Sequence, residues 1–353
     1  MKIVIRIVTV LLAAVIGYLF AWPTDIEPRA FEPEEPPPLE GVLKPNKELR
    51  QANRIADGDI DGPEDTEVDS RGRIYGGTAD GRIVRIDPDT EVVSTFAQTG
   101  GRPLGMMFDD DDNLIVCDAF QGLLSIDTDG QIEVLATEAD GLPFRFTNDL
   151  DIASDGTIYF TDASHRFTQP QYLYDLLESR PHGRFMRYDP DTKAVEVLAD
   201  DLYFANGVAI SDDDSFVLIN ETYRYRIRRH WLEGDRRGST EIFVDNLPGF
   251  PDNLSRSGDG TFWLALFTVR NPMMDRLHPS PAAKRVVSRL PKFLWPQPEP
   301  YGFVIELDDE GQYLQSLQDP GGEVLTEITS VKERQGTLYM GTLEHNWIGR
   351  LEL

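Results

Sequence analysis

The sequence predicts an all-β, six-bladed β-propeller carrying an N-terminal membrane-anchor helix and short capping insertions. Three observations predict it. A polar turn followed by a short apolar strand occurs six times, with central strand residues Tyr75, Ile115, Tyr159, Val217, Trp263 and Tyr339 spaced 40, 44, 58, 46 and 76 apart. A further strand follows most of these, as in Gly81–Asp87, Gly183–Asp189 and Gly302–Asp308. Repeats of about 40 to 45 residues made only of short strands are the mark of a propeller, and ring closure removes long exposed edges. A sandwich would need fewer strands and would not repeat at this period.

At the N-terminus, Lys2 and Arg6 precede an apolar run from Ile7 to Trp22 that contains no charge. It falls slightly short of the roughly 20 residues that span a bilayer. It ends in Tyr18-Leu19-Phe20-Ala21-Trp22-Pro23, which suits an interfacial aromatic anchor better than a small-x-small cleavage site. Residues 1–23 are therefore expected to be an uncleaved signal anchor, single-pass, with a cytoplasmic N-terminus and the rest extracytoplasmic. A cleaved signal and secretion is the alternative. Residues 24–48 are rich in Pro and Glu, including Pro36-Pro37-Pro38, a composition expected to form an extended spacer rather than a packed element.

The propeller is expected to occupy residues 49–353, with residues 49–60 lending a strand to the last blade. Two intervals exceed a blade. Residues 165–181 contain Tyr172–Glu178, whose apolar positions recur at helical spacing, and residues 268–300 hold seven prolines, Met273-Met274 and Phe293-Leu294-Trp295. Both are expected to cap one end of the ring.

With 34 basic and 61 acidic residues, the formal charge is −27. Such a surface argues against both nucleic acid and anionic lipid headgroups as partners and favours cations. Cys117, the sole cysteine, lies in the apolar run Leu114–Cys117 and reads as a small buried hydrophobe. His165, His182, His230, His278 and His345 are scattered and read as surface or loop residues. Arg224–Arg229 reads as a solvated outer strand. GxSxG, P-loop, GxGxxG and HExxH patterns are missing.

Eleven residues before the aligned strand positions stand Glu64, Leu104, Asn148, Asn206, Asp252 and Ile328. Innermost strands surround the channel, so these positions converge near its axis. Two carboxylates and two amides meeting there make an oxygen cage for a hard cation such as Ca2+, and the lack of Cys and His disfavours zinc or copper. Asp65, Asp149 and Asn253 stand next in line as ligands or supports.

Residues 62–353 resemble the strictosidine synthase-like family and, more distantly, the paraoxonases and the gluconolactonase (senescence marker protein) group. The resemblance rests on Gly62-Pro63-Glu64-Asp65, Gly101–Gly105, Pro143–Asp151, Tyr203–Ala209 and Gly249–Asn253. It implies a calcium-type ion held by Glu64, Asn148, Asn206, Asp252 and Asn253. It also implies hydrolysis of lactones or aryl esters, or alkaloid-forming condensation. Leu104 stands where paraoxonases carry a catalytic histidine, and Thr329 aligns with the catalytic glutamate of true strictosidine synthases, so neither apparatus transfers whole and condensation is disfavoured.

The expectation is a membrane-anchored, Ca2+-dependent hydrolase of a small ester or lactone. Asp252 would be ligand and proton acceptor, Asp149 and Asp118 further candidates for the base, and Leu104, Ile328 and Thr329 pocket residues. The alternative is a non-catalytic binding propeller whose ion is structural.

Overall fold

Short strands rich in Val, Ile, Leu and aromatic residues alternate with Asp- and Gly-containing turns, and a sheet so made can bury both faces only against neighbouring sheets. The computed structural model describes residues 1–353, and its core is six four-stranded antiparallel sheets arranged as a β-propeller. Blade 1 runs Thr66–Val68, Ile74–Gly77, Arg82–Ile86 and Val93–Gln98, from the channel outward. Blades 2 to 5 begin with the inner strands Pro103–Phe108, Thr147–Ile152, Ala205–Ile210 and Gly249–Arg256. Blade 6 takes Ile328–Arg334, Thr337–Thr342 and Ile348–Glu352 from the C-terminus. Its outer strand is Asn53–Ile55 from the N-terminal side, paired Asn53 with Arg350 and Ile55 with Ile348. Closure therefore joins the two ends of the domain. All six aligned positions lie on second strands.

Packing between blades is apolar. Tyr75 of blade 1 meets Phe96 and, across the gap, Phe108 of blade 2, ring edges to faces at 5.2 and 5.1 Å. Cys117 is fully buried between blades 2 and 3 with Phe160 and Met186, in accord with its reading as a small hydrophobe.

Both insertions leave between the second and third strands of their blades, hence at the end of the ring where inner strands begin. The first holds helix α2 (Tyr172–Glu178), the second helices α3 (Pro272–Leu277) and α4 (Pro281–Val287). They share a small core of Phe167, Leu177, Met274, Leu277 and Trp295. Helix α1 (Lys2–Ala21) precedes all of these and buries none of its residues.

Three expectations are corrected. The Pro- and Glu-rich stretch is extended but packed: Ile26 joins the core of the caps, and the Phe31 ring lies 5.2 Å from that of His278. Arg270 donates to the Glu34 carbonyl, and Asn246 to that of Glu35. Proline removes intrasegment donors, so such a chain is held by its carbonyls. Residues 226–231 form the third strand of blade 4, not an outer one, and Arg226 pairs with Glu221 while Arg229 pairs with Glu241. His230 and His278 are buried rather than superficial.

Within the caps, Asp175 is buried and accepts a hydrogen bond from Ser164 Oγ at 2.6 Å. Burial pushes its carboxyl up to about 8. An acid raised above its unfolded value near 4 adds stability at low pH that is lost as pH rises through about 8. Asp175→Asn should therefore exceed the parent in melting temperature by a margin that widens from pH 5 to pH 8 and is largest at pH 9. Parallel melting curves across that range would refute the assignment.

Candidate functional site

Each inner strand of blades 2 to 6 carries a β-bulge near its start. Pairing breaks after Pro103, Thr147, Ala205, Pro251 and Ile328, leaving one extra residue in each strand. A bulge re-aims the side chains within it. The residues that follow the break are Leu104, Asn148, Asn206, Asp252 and Thr329, and all five line one cavity of about 360 Å³ together with Glu64 of blade 1. In blade 6 the phase shifts by one. Its hairpin closes through the two-residue turn Gln335-Gly336 where the blade 3 hairpin uses five residues, so the position lies ten residues before Tyr339. Ile328 is thereby removed from the cavity into the core beside Trp263 and Val331.

The next residue in each blade forms a second tier: Asp65, Gly105, Asp149, Gly207, Asn253 and Ser330. Large and absent side chains alternate here because the blades converge. A Cβ on Gly105 would lie 2.4 Å from Asp149 Oδ1, and one on Gly207 would lie 2.6 Å from Asn253 Cα. Asp65 accepts from the Met106 amide and Asp149 from the Val208 amide, both at 2.9 Å, so these carboxylates pin the bulges of adjacent blades.

Four buried side-chain oxygens, Glu64 Oε2, Asn148 Oδ1, Asn206 Oδ1 and Asn253 Oδ1, have no hydrogen-bond partner, and neither does Oδ1 of Asp65 in the second tier, whose Oδ2 is bonded. Their amide nitrogens explain the orientation in part. Asn206 Nδ2 donates to Asp252 Oδ1 at 2.7 Å, and Asn253 Nδ2 donates to Glu64 Oε1 at 3.2 Å. An unpaired buried oxygen is costly, and four in one place describe a site built for a positive ligand. Burial, then the charge of Asp252, raises Glu64 well above the carboxylate range, and burial raises Asp252 to about 8. No cluster of three His, Cys, Asp or Glu donors exists. The set is two carboxylates and three amides, all oxygen, which fits a hard cation such as Ca2+ and not a thiophilic metal.

The second tier carries its own cation. Lys332, from the inner strand of blade 6, donates to Asp65 Oδ2 at 2.8 Å, Glu67 Oε2 at 3.3 Å and the Met106 carbonyl. Burial alone would depress its ammonium, but Asp65 and Glu67 outweigh that and hold it above the usual lysine value. Beneath it lies a second cavity of about 220 Å³ at the far end of the channel.

Of the expected catalytic groups, only Asp252 lines the upper cavity. Asp149 faces the lower one. Asp118 is consumed as a turn cap, its Oδ1 accepting from the amides of Arg102, Phe120 and Gln121.

Two features escaped the sequence reading. Phe146, Phe204 and Phe250 each stand two residues before a polar site residue and form an aromatic collar on the cavity, with Phe204 stacked on Tyr223 at 4.3 Å. The recurring Phe-x-Asn, Phe-x-Asn, Phe-x-Asp was visible in the chain. At the corresponding position of blade 6 stands Glu327, which lines the cavity and lies 3.0 Å from His345 Nε2. Phe204 and Glu327 both adopt left-handed backbone, with φ of 58° and 52°. Strain of this kind in bulky or charged residues gathers at functional sites.

A six-bladed propeller with a polar axial site and capped mouth defines the class. The strictosidine synthase family pattern matches residues 148–235, and the strictosidine synthase-like N-terminal pattern matches residues 41–86. The chain is 37% identical to the adipocyte plasma membrane-associated protein of Rattus norvegicus, over 96% of each chain. It is 35% identical to Arabidopsis thaliana "Protein STRICTOSIDINE SYNTHASE-LIKE 6", over 86% of this chain and 82% of that one. It belongs to the strictosidine synthase-like family. In fold it resembles a gluconolactonase of Xanthomonas campestris (TM-score 0.63, 18% identity, 94% and 99% of the two chains). It also resembles the calcium-binding protein regucalcin of Agrobacterium tumefaciens (TM-score 0.59, 15% identity, 85% and 90%).

Two outcomes follow. Ca2+ should raise the melting temperature by mass action, about 2.7 kcal/mol at a hundredfold excess over Kd. Asp252→Asn should abolish that rise while stabilising the calcium-free protein, because it removes one of two facing carboxylates; a calcium response surviving the substitution would exclude the site. Separately, Lys332→Met should destabilise by about 3–5 kcal/mol in chemical denaturation, since it strands buried carboxylates. Adding Asp65→Asn should recover part of the loss, and strictly additive effects would count against the pairing.

Proposed function

We propose that this protein is a membrane-anchored hydrolase of small esters or lactones that uses a Ca2+-type cation at the upper tier of its channel. The observation that carries the reading is the set of unpartnered buried oxygens of Glu64, Asn148 and Asn206, which line an apolar cavity, joined by that of Asn253, whose amide nitrogen donates to Glu64. The solved gluconolactonase and regucalcin folds agree with it in architecture.

Glu64, Asn148, Asn206, Asp252 and Asn253 would hold the cation. Bound there, a divalent cation supplies Lewis-acid polarisation of a carbonyl oxygen. Phe146, Phe204, Phe250 and Leu104 bury the acyl or aryl part of the substrate and exclude bulk water. Glu327 takes a proton from the attacking water as its oxygen bonds to the carbonyl carbon. The carbon–oxygen ester bond then breaks, and the proton passes to the departing alkoxide. His345 positions the Glu327 carboxylate. Leu104 and Thr329 leave no histidine or glutamate at the two positions where the distant families carry their catalytic groups. Of the carboxylates on the wall outside the cation cage, Glu327 and Glu344, this mechanism uses Glu327, which stands two residues before Thr329 in the position that Phe146, Phe204 and Phe250 hold in other blades.

Helix α1 is long and apolar enough to cross a bilayer, with mean hydropathy 2.5 and none of its length buried. We place it in the membrane, N-terminus cytoplasmic and propeller extracytoplasmic, a placement supported by the plasma-membrane association that the 37% identical relatives are named for.

Leu104, which can neither donate nor accept a proton, favours one further reading: a binding propeller in which the cation is structural. Hydrolysis of phenyl acetate and a panel of lactones, with and without chelator, separates the two. The hydrolase reading expects turnover that chelator removes, abolition by Asp252→Ala, and a fall of about 10²-fold or more in kcat with Glu327→Gln. Turnover indifferent to both chelator and Asp252→Ala would sink it. A melting temperature lowered by chelator with no ester turned over would establish the binding propeller instead.

A further inference from the structure

We infer that the second insertion, residues 268–300, is a membrane-docking surface that lays the capped end of the propeller, and with it the cavity mouth, against an anionic phospholipid bilayer.

The charge distribution is the first observation. This stretch holds six basic and two acidic residues, a net of +4 inside a chain of −27. Lys284 and Arg270 are buried, whereas Arg276, Arg285 and Lys292 are exposed. The opposite end of the ring carries the turns between first and second and between third and fourth strands. Those turns include Asp109–Asp112, Asp212–Asp214 and Asp308-Asp309-Glu310. The turns of the second end are repelled by an anionic surface. At the first end the exposed basic residues of the insertion must supply the attraction locally, against Asp25, Glu27, Glu32, Glu34 and Glu35 of the stretch packed on the same caps and against the repulsion of the chain as a whole.

Apolar exposure is the second. Phe293 is 77% exposed, Met273 64% and Leu294 54%. These side chains are presented rather than loose. Trp295 is buried between them and the caps, its indole donating to the Leu290 carbonyl at 3.0 Å and its ring meeting Tyr174 at 5.5 Å, while Pro291 and Pro296 bracket the turn. Holding a phenylalanine and a leucine rigidly in water costs free energy that insertion among headgroups and acyl chains recovers. Exposed Phe and Leu ringed by Arg and Lys, whose stems lie along apolar surface while their charges stay wet, match the bilayer interface.

Continuity is the third. Arg289, in the same insertion, donates to the carbonyls of Leu19 and Trp22 at 2.8 and 2.7 Å, and Tyr18 donates to the Arg289 carbonyl at 3.2 Å. The basic, apolar cap is thus fastened to the last turn of α1. The cavity mouth is lined by Asn271, Met274, Pro296, Gln297 and Pro298 of this same segment, so a docked cap opens the cavity at the headgroup layer.

The buried Cys117 permits single-site labelling. Full-length protein is reconstituted into nanodiscs of phosphatidylcholine and phosphatidylglycerol, with an environment-sensitive fluorophore on Phe293→Cys, Asp110→Cys or Leu11→Cys. Docking predicts that the label at 293 is quenched by brominated lipid and shielded from iodide, while the label at 110 shows the reverse. Arg276→Glu, Arg285→Glu and Lys292→Glu together should reduce lipid quenching at 293 by about threefold or more, since each basic residue near an anionic surface contributes about fivefold. A label at 293 as open to iodide as that at 110 overturns the inference, and charge reversal without effect overturns its electrostatic basis. The label at 11 reports separately on α1. Lipid quenching at 11 without quenching at 293 defeats docking and leaves the anchor intact, and quenching at 293 without quenching at 11 upholds docking and defeats the anchor.

Discussion

Buried carboxylates around the channel are the constraint from which the rest of this structure follows. Glu64, Asp65, Glu67, Asp149, Asp151 and Asp252 are all buried at the converging inner strands. Like charges at such distances in a poorly solvated channel cannot all stay ionised without positive charge between them. The chain meets the demand in two different ways. At the lower tier it supplies a tethered ammonium, Lys332, and hydrogen-bonds the carboxylates to backbone amides of neighbouring blades. At the upper tier no cationic side chain forms an ion pair with Glu64 or Asp252, and the charge of the buried Arg102 offsets the rise of Glu64 only in part. Burial leaves both raised, the charge of Asp252 raises Glu64 further, and amide oxygens face the same space unpaired. The difference between the tiers separates a structural region from a ligand site.

The same constraint explains local features that otherwise look unrelated. Bulges at the start of the inner strands turn one side chain per blade toward the cavity, which a regular strand would hold against the neighbouring sheet. Gly105 and Gly207 are required because the backbone and side chains of Asp149 and Asn253 fill the volume a Cβ would need. The left-handed backbone at Phe204 and Glu327 follows from the tight entry into bulged strands, and it places an aromatic ring and a carboxylate on the cavity wall two blades apart.

How much of this was legible in the chain depends on the scale of the signal. Blade number, the second-strand positions and closure by a strand from residues 49–60 were readable, because a repeat of short strands with polar turns has few alternative folds. Five of the six upper-tier residues were readable from a fixed offset, since equivalent positions in a propeller share a height. Thr329 was displaced to Ile328 because a two-residue turn changes the register of one hairpin, and turn length is a local property that a common spacing overlooks. The Pro- and Glu-rich stretch was taken for a free spacer because composition reports the lack of a private core, not the availability of a foreign one. Its carbonyls find Arg270 and Asn246, donors lodged more than two hundred residues away. Lys332 was likewise invisible, a lone lysine in an ordinary strand whose partners lie across the ring.

The two tiers also separate what folding needs from what ligand binding adds. Closure of blade 6 by the N-terminal strand brings Lys332 to Asp65 and Glu67, so the lower tier is neutralised as the ring shuts. The upper tier then faces a capped, apolar cavity with its carboxylates unpaired and its amide oxygens free. On the proposed reading, a cation entering there would gain oxygen ligands already held by five bulged or adjoining strand positions and would displace no internal ion pair. Had the chain placed a second lysine at this height, the propeller would be more stable alone and would have no site. The cost of leaving Glu64 and Asp252 unpaired is thus the physical reason to assign function to this end of the channel.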